Sequence, residues 1–334
     1  MSTYSYSVST KPGLAPDDSK AHHVKNKKLS LKTHFRPTGS EGIARYLAQG
    51  KLPVSDTSKA DIPTTRSFLP SRTAGNSFLR ATWLGHACYY VEFPSGFRAL
   101  LDAVFEERFN RMGPKRFTSA ACGPEDLLGL DAIFISHDHH DHLSYPTVED
   151  LVCVHPNVQF FVGIRLAKWF QESGVGAVME MDWWDDAEVI LERKAANANP
   201  GNDTDPERLS VQVSYYTLWA SWAVTSGAKS VWFAGDTGYR FLTLRGSFNL
   251  GLIPISAYQP RMMCSPVHAS PYDAVEIFQD TKCKATLAMH WGTWALTSEP
   301  VNELPRKLRE ALKVKGLPET GLFDVCAIGE SRKF

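Results

Sequence analysis

The pattern of apolar and polar positions changes near residue 78. Beyond it, short apolar runs of strand length recur between glycine- and proline-bearing turns. Leu79–Leu84, Cys88–Phe93, Ala99–Leu101, Ala132–Ile135 and Val158–Val162 read as strands, as do Val211–Tyr216, Trp219–Thr225, Val231–Ala234 and Ala285–Met289. A helix is predicted over Arg165–Glu172, ending near Gly174. Ser270-Pro271-Tyr272-Asp273 marks another helix start: Ser caps, Pro suits the first turn and Asp favours the positive end. Leu304, Leu308, Ala311 and Leu312 give the last helix an apolar stripe, with Gly316 as its stop. Asn197–Arg208 is polar and reads as a surface loop. No internal repeat is evident, and strands that precede and alternate with helices make this an α/β chain.

Residues 1–75 are rich in Ser, Thr, Pro and Lys and poor in periodic apolar residues. They are expected to form a solvated, partly disordered N-terminal extension ahead of one domain over 76–334. Lys20, Lys25, Lys27, Lys28, Lys32 and Arg36 lie in this extension. Besides solvating it, they offer electrostatic attraction to anionic lipid.

At 334 residues, with 43% hydrophobic and 22% charged, the chain has the usage of a globular enzyme with a substantial core. Lys+Arg and Asp+Glu are both 36, so the formal charge is zero, which disfavours a nucleic-acid partner. Cys88, Cys122, Cys153, Cys264, Cys283 and Cys326 are scattered with no CxxC pair, the pattern of reduced, packed thiols in an intracellular protein. No apolar run approaches the roughly 20 residues that span a bilayer. The N-terminus shows no apolar secretory segment, and Asp17 and Asp18 count against a mitochondrial targeting peptide without excluding one.

The chemistry concentrates after Ala132–Ile135. His137-Asp138-His139-His140-Asp141-His142 places several ligand types within one turn, and imidazole and carboxylate are the donors expected for hydrolytic zinc. Two more strand ends repeat the arrangement. Val231–Ala234 runs into Gly235-Asp236, and Ala285–Met289 runs into His290-Trp291-Gly292. Each delivers one potential ligand at a carboxyl end, where α/β sheets commonly build their sites.

His137-x-His139-x-Asp141-His142, with Gly235-Asp236 and the late His290, resembles the metallo-β-lactamase superfamily. That resemblance implies a four-layer αββα sandwich with two metals at one sheet edge. Thr82–Ala87, Met112–Phe117, Asp182–Trp184, Phe233–Tyr239 and Met289–Thr293 are similar to the N-acylphosphatidylethanolamine-hydrolysing phospholipase D family, and the likeness runs from about residue 78 to Arg332. It implies that His137 and His139 bind one Zn2+, that Asp141, His142 and His290 bind the other, and that Asp236 bridges both. Asp141 would also be catalytic, orienting the attacking hydroxide. His140 stands where the family has a substrate-contacting aromatic, His268 matches a histidine near the substrate phosphate, and Asp102 matches an aspartate that supports the metals. The implied reaction cleaves N-acylphosphatidylethanolamine to phosphatidic acid and an N-acylethanolamine. A phospholipid substrate implies peripheral membrane contact from the cytoplasm, with a mitochondrial location left open.

The chain departs from this pattern at one ligand. The family supplies a third histidine to the first zinc from a loop between a strand and a Leu-Trp-x-x-Trp segment. Here Val211–Thr217 runs directly into Leu218-Trp219-Ala220-Ser221-Trp222, and the only histidine between His142 and Asp236 is His155. The first site keeps two histidines and the shared Asp236, so weaker occupancy is expected there. A skipped coding segment at Thr217–Leu218 is another reading of the gap. Beyond Tyr239 a second connection is shortened, and Arg261-Met262-Met263 lacks the family's tryptophan. Alternatives to the phospholipase reading are a lactonase-like hydrolase of the same fold, or an inactive relative that binds metal or lipid; a nuclease is disfavoured by the neutral charge.

Overall fold

A computed structural model describes residues 4–11, 23–24, 28–29, 54–65, 77–127, 129–193, 207–215, 221–239 and 247–334. Most of the Lys20–Arg36 stretch, residues 194–206 and the Thr217–Leu218 junction lie outside them.

The chain opens with β1 (Tyr4–Lys11) and a small ribbon of β2 (His23–Val24) and β3 (Lys28–Leu29). Next come β4 (Arg80–Gly85), β5 (Cys88–Glu92), β6 (Arg98–Leu101) and β7 (Ala132–Ile135). Helix α1 (Tyr145–Val154), β8 (Gln159–Gly163), α2 (Ala167–Glu172) and β9 (Val178–Met181) complete the first half. The second half holds β10 (Asp186–Arg193), β11 (Glu207–Tyr215), β12 (Trp222–Ser226), β13 (Lys229–Phe233) and β14 (Leu250–Pro254). It ends with α3 (Arg261–Cys264), α4 (Pro271–Thr281), β15 (Ala285–Met289), α5 (Leu304–Val314), β16 (Phe323–Asp324) and β17 (Ser331–Lys333).

These strands form two mixed sheets. One is 7-stranded in the order β17-β4-β5-β6-β7-β8-β9; the other is 8-stranded in the order β1-β10-β11-β12-β13-β14-β15-β16. In the first, β6 through β9 run parallel, and in the second, β13 through β16 do. Successive strand residues point to opposite faces. In β7, Ala132 and Phe134 join the core shared with the other sheet, while Ile133 and Ile135 join a second core under the helices. The same split places Tyr89 and Val91 inward and Tyr90 outward, where Val148 and Leu151 of α1 and Phe170 of α2 cover the sheet. Burial on both faces explains why these strands read as continuous apolar runs rather than alternating ones. Helices α4 and α5 pack together on the other side, α4 against β14. The result is the four-layer αββα sandwich.

Aromatic packing locks the sheets together directly beneath the histidine loop. Phe134 stacks on Phe161 at 4.9 Å, Trp222 lies 5.5 Å from Phe134, and its indole N–H donates to the Ile135 carbonyl at 3.2 Å.

Several elements differ from the sequence expectation for identifiable reasons. Helix α1 has no local cap. The carboxylate of Glu106 accepts from the Thr147 amide at 2.8 Å and from the hydroxyls of Ser144 and Thr147 at 2.5 and 3.0 Å. Ser144 and Pro146 stand where a helix start is read, but the cap is supplied by a residue 41 positions away. Helix α2 begins at Ala167 rather than Arg165, because Arg165 takes a left-handed φ of 76°. The strands expected over Val211–Tyr216 and Trp219–Thr225 are Glu207–Tyr215 and Trp222–Ser226.

Two stretches within 1–75 lie on the domain. Strand β1 pairs antiparallel along β10, from Tyr4 opposite Arg193 to Lys11 opposite Asp186. Residues 54–65 join the C-terminal region: the Thr65 amide donates to Ile328 O at 2.7 Å and the Ile328 amide to Pro63 O at 2.8 Å. A Cβ at Gly329 would stand 2.3 Å from Thr65 O, so this seam requires glycine there.

Candidate metal centre

Parallel strands bring their carboxyl ends to one edge of the sandwich. There β6 ends at Asp102, β7 at Ser136–His142, β13 at Asp236 and β15 at His290. The chain must leave each strand sharply, and several exits use left-handed backbone: Asp102 at φ 40°, Gly235 at 62° and His290 at 63°. Non-glycine residues pay for that conformation, and such strain concentrates at functional sites. Gly238 is required by close approach instead. A Cβ there would stand 2.2 Å from Ser265 O, and this contact seats the His268 loop beside Asp236.

Asp236 is the centre of the cluster. Its Oδ1 faces His142 Nε2 at 3.2 Å and His290 Nε2 at 3.0 Å, while Oδ2 faces His137 Nε2 at 3.5 Å and His268 Nδ1 at 3.6 Å. Asp141 Oδ2 stands 3.6 Å from His142 Nε2 and 3.4 Å from His290 Nε2, and those two nitrogens are 3.2 Å apart. A tetrahedral zinc site with bonds of about 2.0–2.1 Å separates its ligand atoms by about 3.3 Å. Asp141, His142 and His290, with Asp236 Oδ1 beside both histidines, therefore match five of the six edges of such a tetrahedron; His86 also lies close enough to Asp141, His142 and His290 to be a potential donor. His137, His139 and Asp236 form a second donor group, with no fourth member among the described residues.

The surroundings of the cluster also fit a cation. Both oxygens of Asp236 are buried and accept no well-formed hydrogen bond. A buried carboxylate in that condition is costly unless a positive ion compensates it. Asp102 prepares two of the histidines. Its Oδ2 accepts from His142 Nδ1 at 2.6 Å, which fixes the proton on Nδ1 and leaves Nε2 as the donor toward a metal. It also accepts from Ser136 Oγ at 2.5 Å, and that hydroxyl in turn takes the Nδ1 proton of His137 at 2.9 Å. The Ser136 amide holds Asp102 Oδ1 at 2.7 Å. One buried aspartate thus orients a ligand in each donor group.

Charge balance in the metal-free cluster points the same way. Burial disfavours the charged forms of Asp236 and Asp141, but the surrounding imidazoles outweigh it, and both carboxyls are held well below the usual range. Burial likewise opposes protonated His142 and His290, yet the carboxylates overcome it. His142 is raised well above its ordinary value and His290 to about 9. A cation entering the site takes over the role of those protons. His290 binds its proton more tightly folded than unfolded. Its contribution to metal-free stability is therefore full below about pH 6.5 and is lost as pH rises through about 9. The melting temperature of chelator-stripped protein is expected to fall between pH 6.5 and 9, while metal-loaded protein, with His290 neutral throughout, should not show that loss.

Other sequence-assigned residues fall out as follows. His268 adjoins Asp236 and His290, and burial pushes it down to about 4, so it is neutral. His140 is exposed and belongs to neither donor group. His155 is remote, with Nε2 3.2 Å from the Pro124 carbonyl, and takes no part in the centre. Two contributors escaped the sequence reading. Ser136 directly precedes His137 but is not a ligand type, and His86 lies far upstream in a Gly85-His86 turn that gave no reason to assign it a role.

Comparisons with known proteins show the family. Residues 98–291 match the model of the beta-lactamase superfamily domain. The chain is 30% identical over 335 residues, covering 92% of both sequences, to N-acyl-phosphatidylethanolamine-hydrolyzing phospholipase D 1 of Caenorhabditis elegans. It is 28% identical over 237 residues to the mitochondrial N-acyl-phosphatidylethanolamine-hydrolyzing phospholipase D of Saccharomyces cerevisiae, covering 68% of this chain and 50% of that one. Among solved structures, the metallo hydrolase Igni18 of Ignicoccus hospitalis matches 77% of this chain and 98% of its own with a TM-score of 0.52; at 16% identity this speaks to the fold alone. The chain therefore belongs to the metallo-β-lactamase superfamily and is similar to its N-acyl-phosphatidylethanolamine-hydrolyzing phospholipase D members.

Proposed function

We propose that this metal-dependent hydrolase is a zinc phosphodiesterase of phospholipase D type, cleaving N-acylphosphatidylethanolamine to phosphatidic acid and an N-acylethanolamine. The observation that carries the proposal is Asp236, a buried carboxylate with one oxygen turned to each of two donor groups. The likeness to the worm and yeast phospholipases supports the choice of substrate.

Asp141, His142, His290 and Asp236 would hold one ion, and His137, His139 and Asp236 the other. When bound, the metal pair supplies positive charge that polarises a phosphoryl oxygen and acidifies water. Asp141 orients the attacking oxygen toward phosphorus. His268, kept neutral by burial, meets a phosphate oxygen through an N–H rather than a full charge. Exposed His140, next to His139 in the chain, would contact the substrate. No helix among the described residues is long and apolar enough to cross a membrane. The phospholipid substrate would be met by peripheral contact, in the cytoplasm or in the mitochondrion.

A second reading rests on the three-donor group. With His137, His139 and a shared Asp236 alone, its ion binds weakly and turnover is impaired. Zinc-loaded protein offered N-acylphosphatidylethanolamine, phosphatidylethanolamine, a lactone and bis(p-nitrophenyl) phosphate separates these cases. Phosphatidic acid with N-acylethanolamine as products supports the proposal. Lactone opening with the lipid untouched overturns it, and fully loaded protein inert toward all four establishes the impaired reading.

A further inference from the structure

His86 lies within ligand distance of Asp141, His142 and His290, although the ligand set assigned above gives the fourth place to Asp236. The residue is 3% exposed and sits in the turn between β4 and β5 at φ 52°. Its Nε2 lies 2.9 Å from Asp141 Oδ2. Its carbonyl accepts the backbone N–H of His290 at 2.9 Å, and its ring packs 4.1 Å from the His290 ring. The turn itself is pinned from both sides. The His86 amide donates to Thr293 Oγ1 at 2.7 Å, and the Trp83 indole N–H donates to the His86 carbonyl at 2.9 Å. Trp294 meets the His86 ring edge-on at 4.9 Å, leaving it little freedom to swing.

The protonation of the ring follows from this contact. Asp141 is an acceptor, so His86 must carry its proton on Nε2. Its Nδ1 is then a bare lone pair, and it is buried without a hydrogen-bond partner. A buried, unsatisfied nitrogen is a cost that ordinary packing would avoid by substituting an apolar residue. A carboxylate oxygen has two lone-pair directions, so Asp141 Oδ2 can accept the His86 proton along one and face His142 and His290 along the other.

We propose that His86 is a positioning residue of the metal centre, holding Asp141 in one orientation through Nε2–H and seating His290 through its carbonyl and ring. It acts from behind the ligands and does not itself bind metal. The assignment rests on the centre being a metal site, and not on which substrate the enzyme takes.

Cobalt(II) binding to chelator-stripped protein tests this independently of turnover. His86→Asn tolerates the left-handed backbone but is too short to reach Asp141, whereas His86→Gln carries an amide N–H of similar reach. The Asn variant is expected to bind the tighter cobalt about 10–100-fold more weakly. The Gln variant should recover to within about threefold of wild type, with an unchanged cobalt absorption spectrum because the ligand set is the same. Wild-type affinity in the Asn variant would overturn the proposal. So would an altered spectrum in the Gln variant, which would make His86 a ligand. If the Asn variant does not fold, the Gln variant decides alone: recovery supports the assignment, and a loss of tenfold or more overturns it.

Discussion

Asp236→Asn is expected to abolish activity and to release metal from both donor groups. The substitution keeps the side chain's shape and removes the charge that faces His142 and His290 on one side and His137 and His268 on the other. Breaking a buried charge pairing by neutralising one partner costs on the order of 3–5 kcal/mol, or about 10²–10³-fold or more in metal affinity. The metal-free protein should change as well. Asp236 is the foremost of the groups raising His290, so the drop in melting temperature between pH 6.5 and 9 should shrink in the variant. Metal analysis and thermal melts across that range check both effects. Retention of one tightly bound ion per protein would show that Asp236 serves only one group.

Asp102→Ala should rank second. It leaves His142 Nδ1, the Ser136 amide and the Ser136 hydroxyl without their acceptor in a buried setting. Each orphaned donor costs roughly 1–3 kcal/mol, so a fold destabilised by on the order of 3–5 kcal/mol is expected in urea denaturation of the stripped protein. Metal affinity should fall about 10–100-fold at both donor groups, because Asp102 orients His142 directly and His137 through Ser136. Loss confined to the His142 group would contradict the Ser136 relay. Ser136→Ala then offers a milder case, in which the His137 group alone should weaken.

What the sequence made legible, and what it did not, follows from how each feature is encoded. The ligands are chemically distinctive and sit at the ends of apolar runs, so His137–His142, Asp236 and His290 stand out individually. Asp102 was identifiable only through resemblance. Its role depends on β6 lying parallel to β7 in a matched register, which no local pattern carries. His86 and Ser136 were invisible as contributors for the same reason: they act through a ligand 55 positions away and through a hydroxyl beside one. Helix α1 does carry a local start, Ser144 with Pro146 in its first turn, while Glu106 satisfies that turn from outside it. Strand β1 lies in a segment whose polar composition suggested an extension, yet its backbone supplies the edge of the larger sheet. Backbone pairing of that kind depends little on apolar side chains. The shortened connection at Thr217–Leu218 lies outside the described residues, among which His137, His139 and Asp236 form a three-donor group.

Asp236 would join the unequal halves of a two-metal hydrolytic centre. A stepwise zinc titration of chelator-stripped protein against a competing chromophoric chelator, with N-acylphosphatidylethanolamine hydrolysis followed at each step, tests it most directly. One ion should bind tightly and a second more weakly, with hydrolysis rising only as the second site fills. Two equally tight sites, or full hydrolysis with a single ion bound, would contradict it.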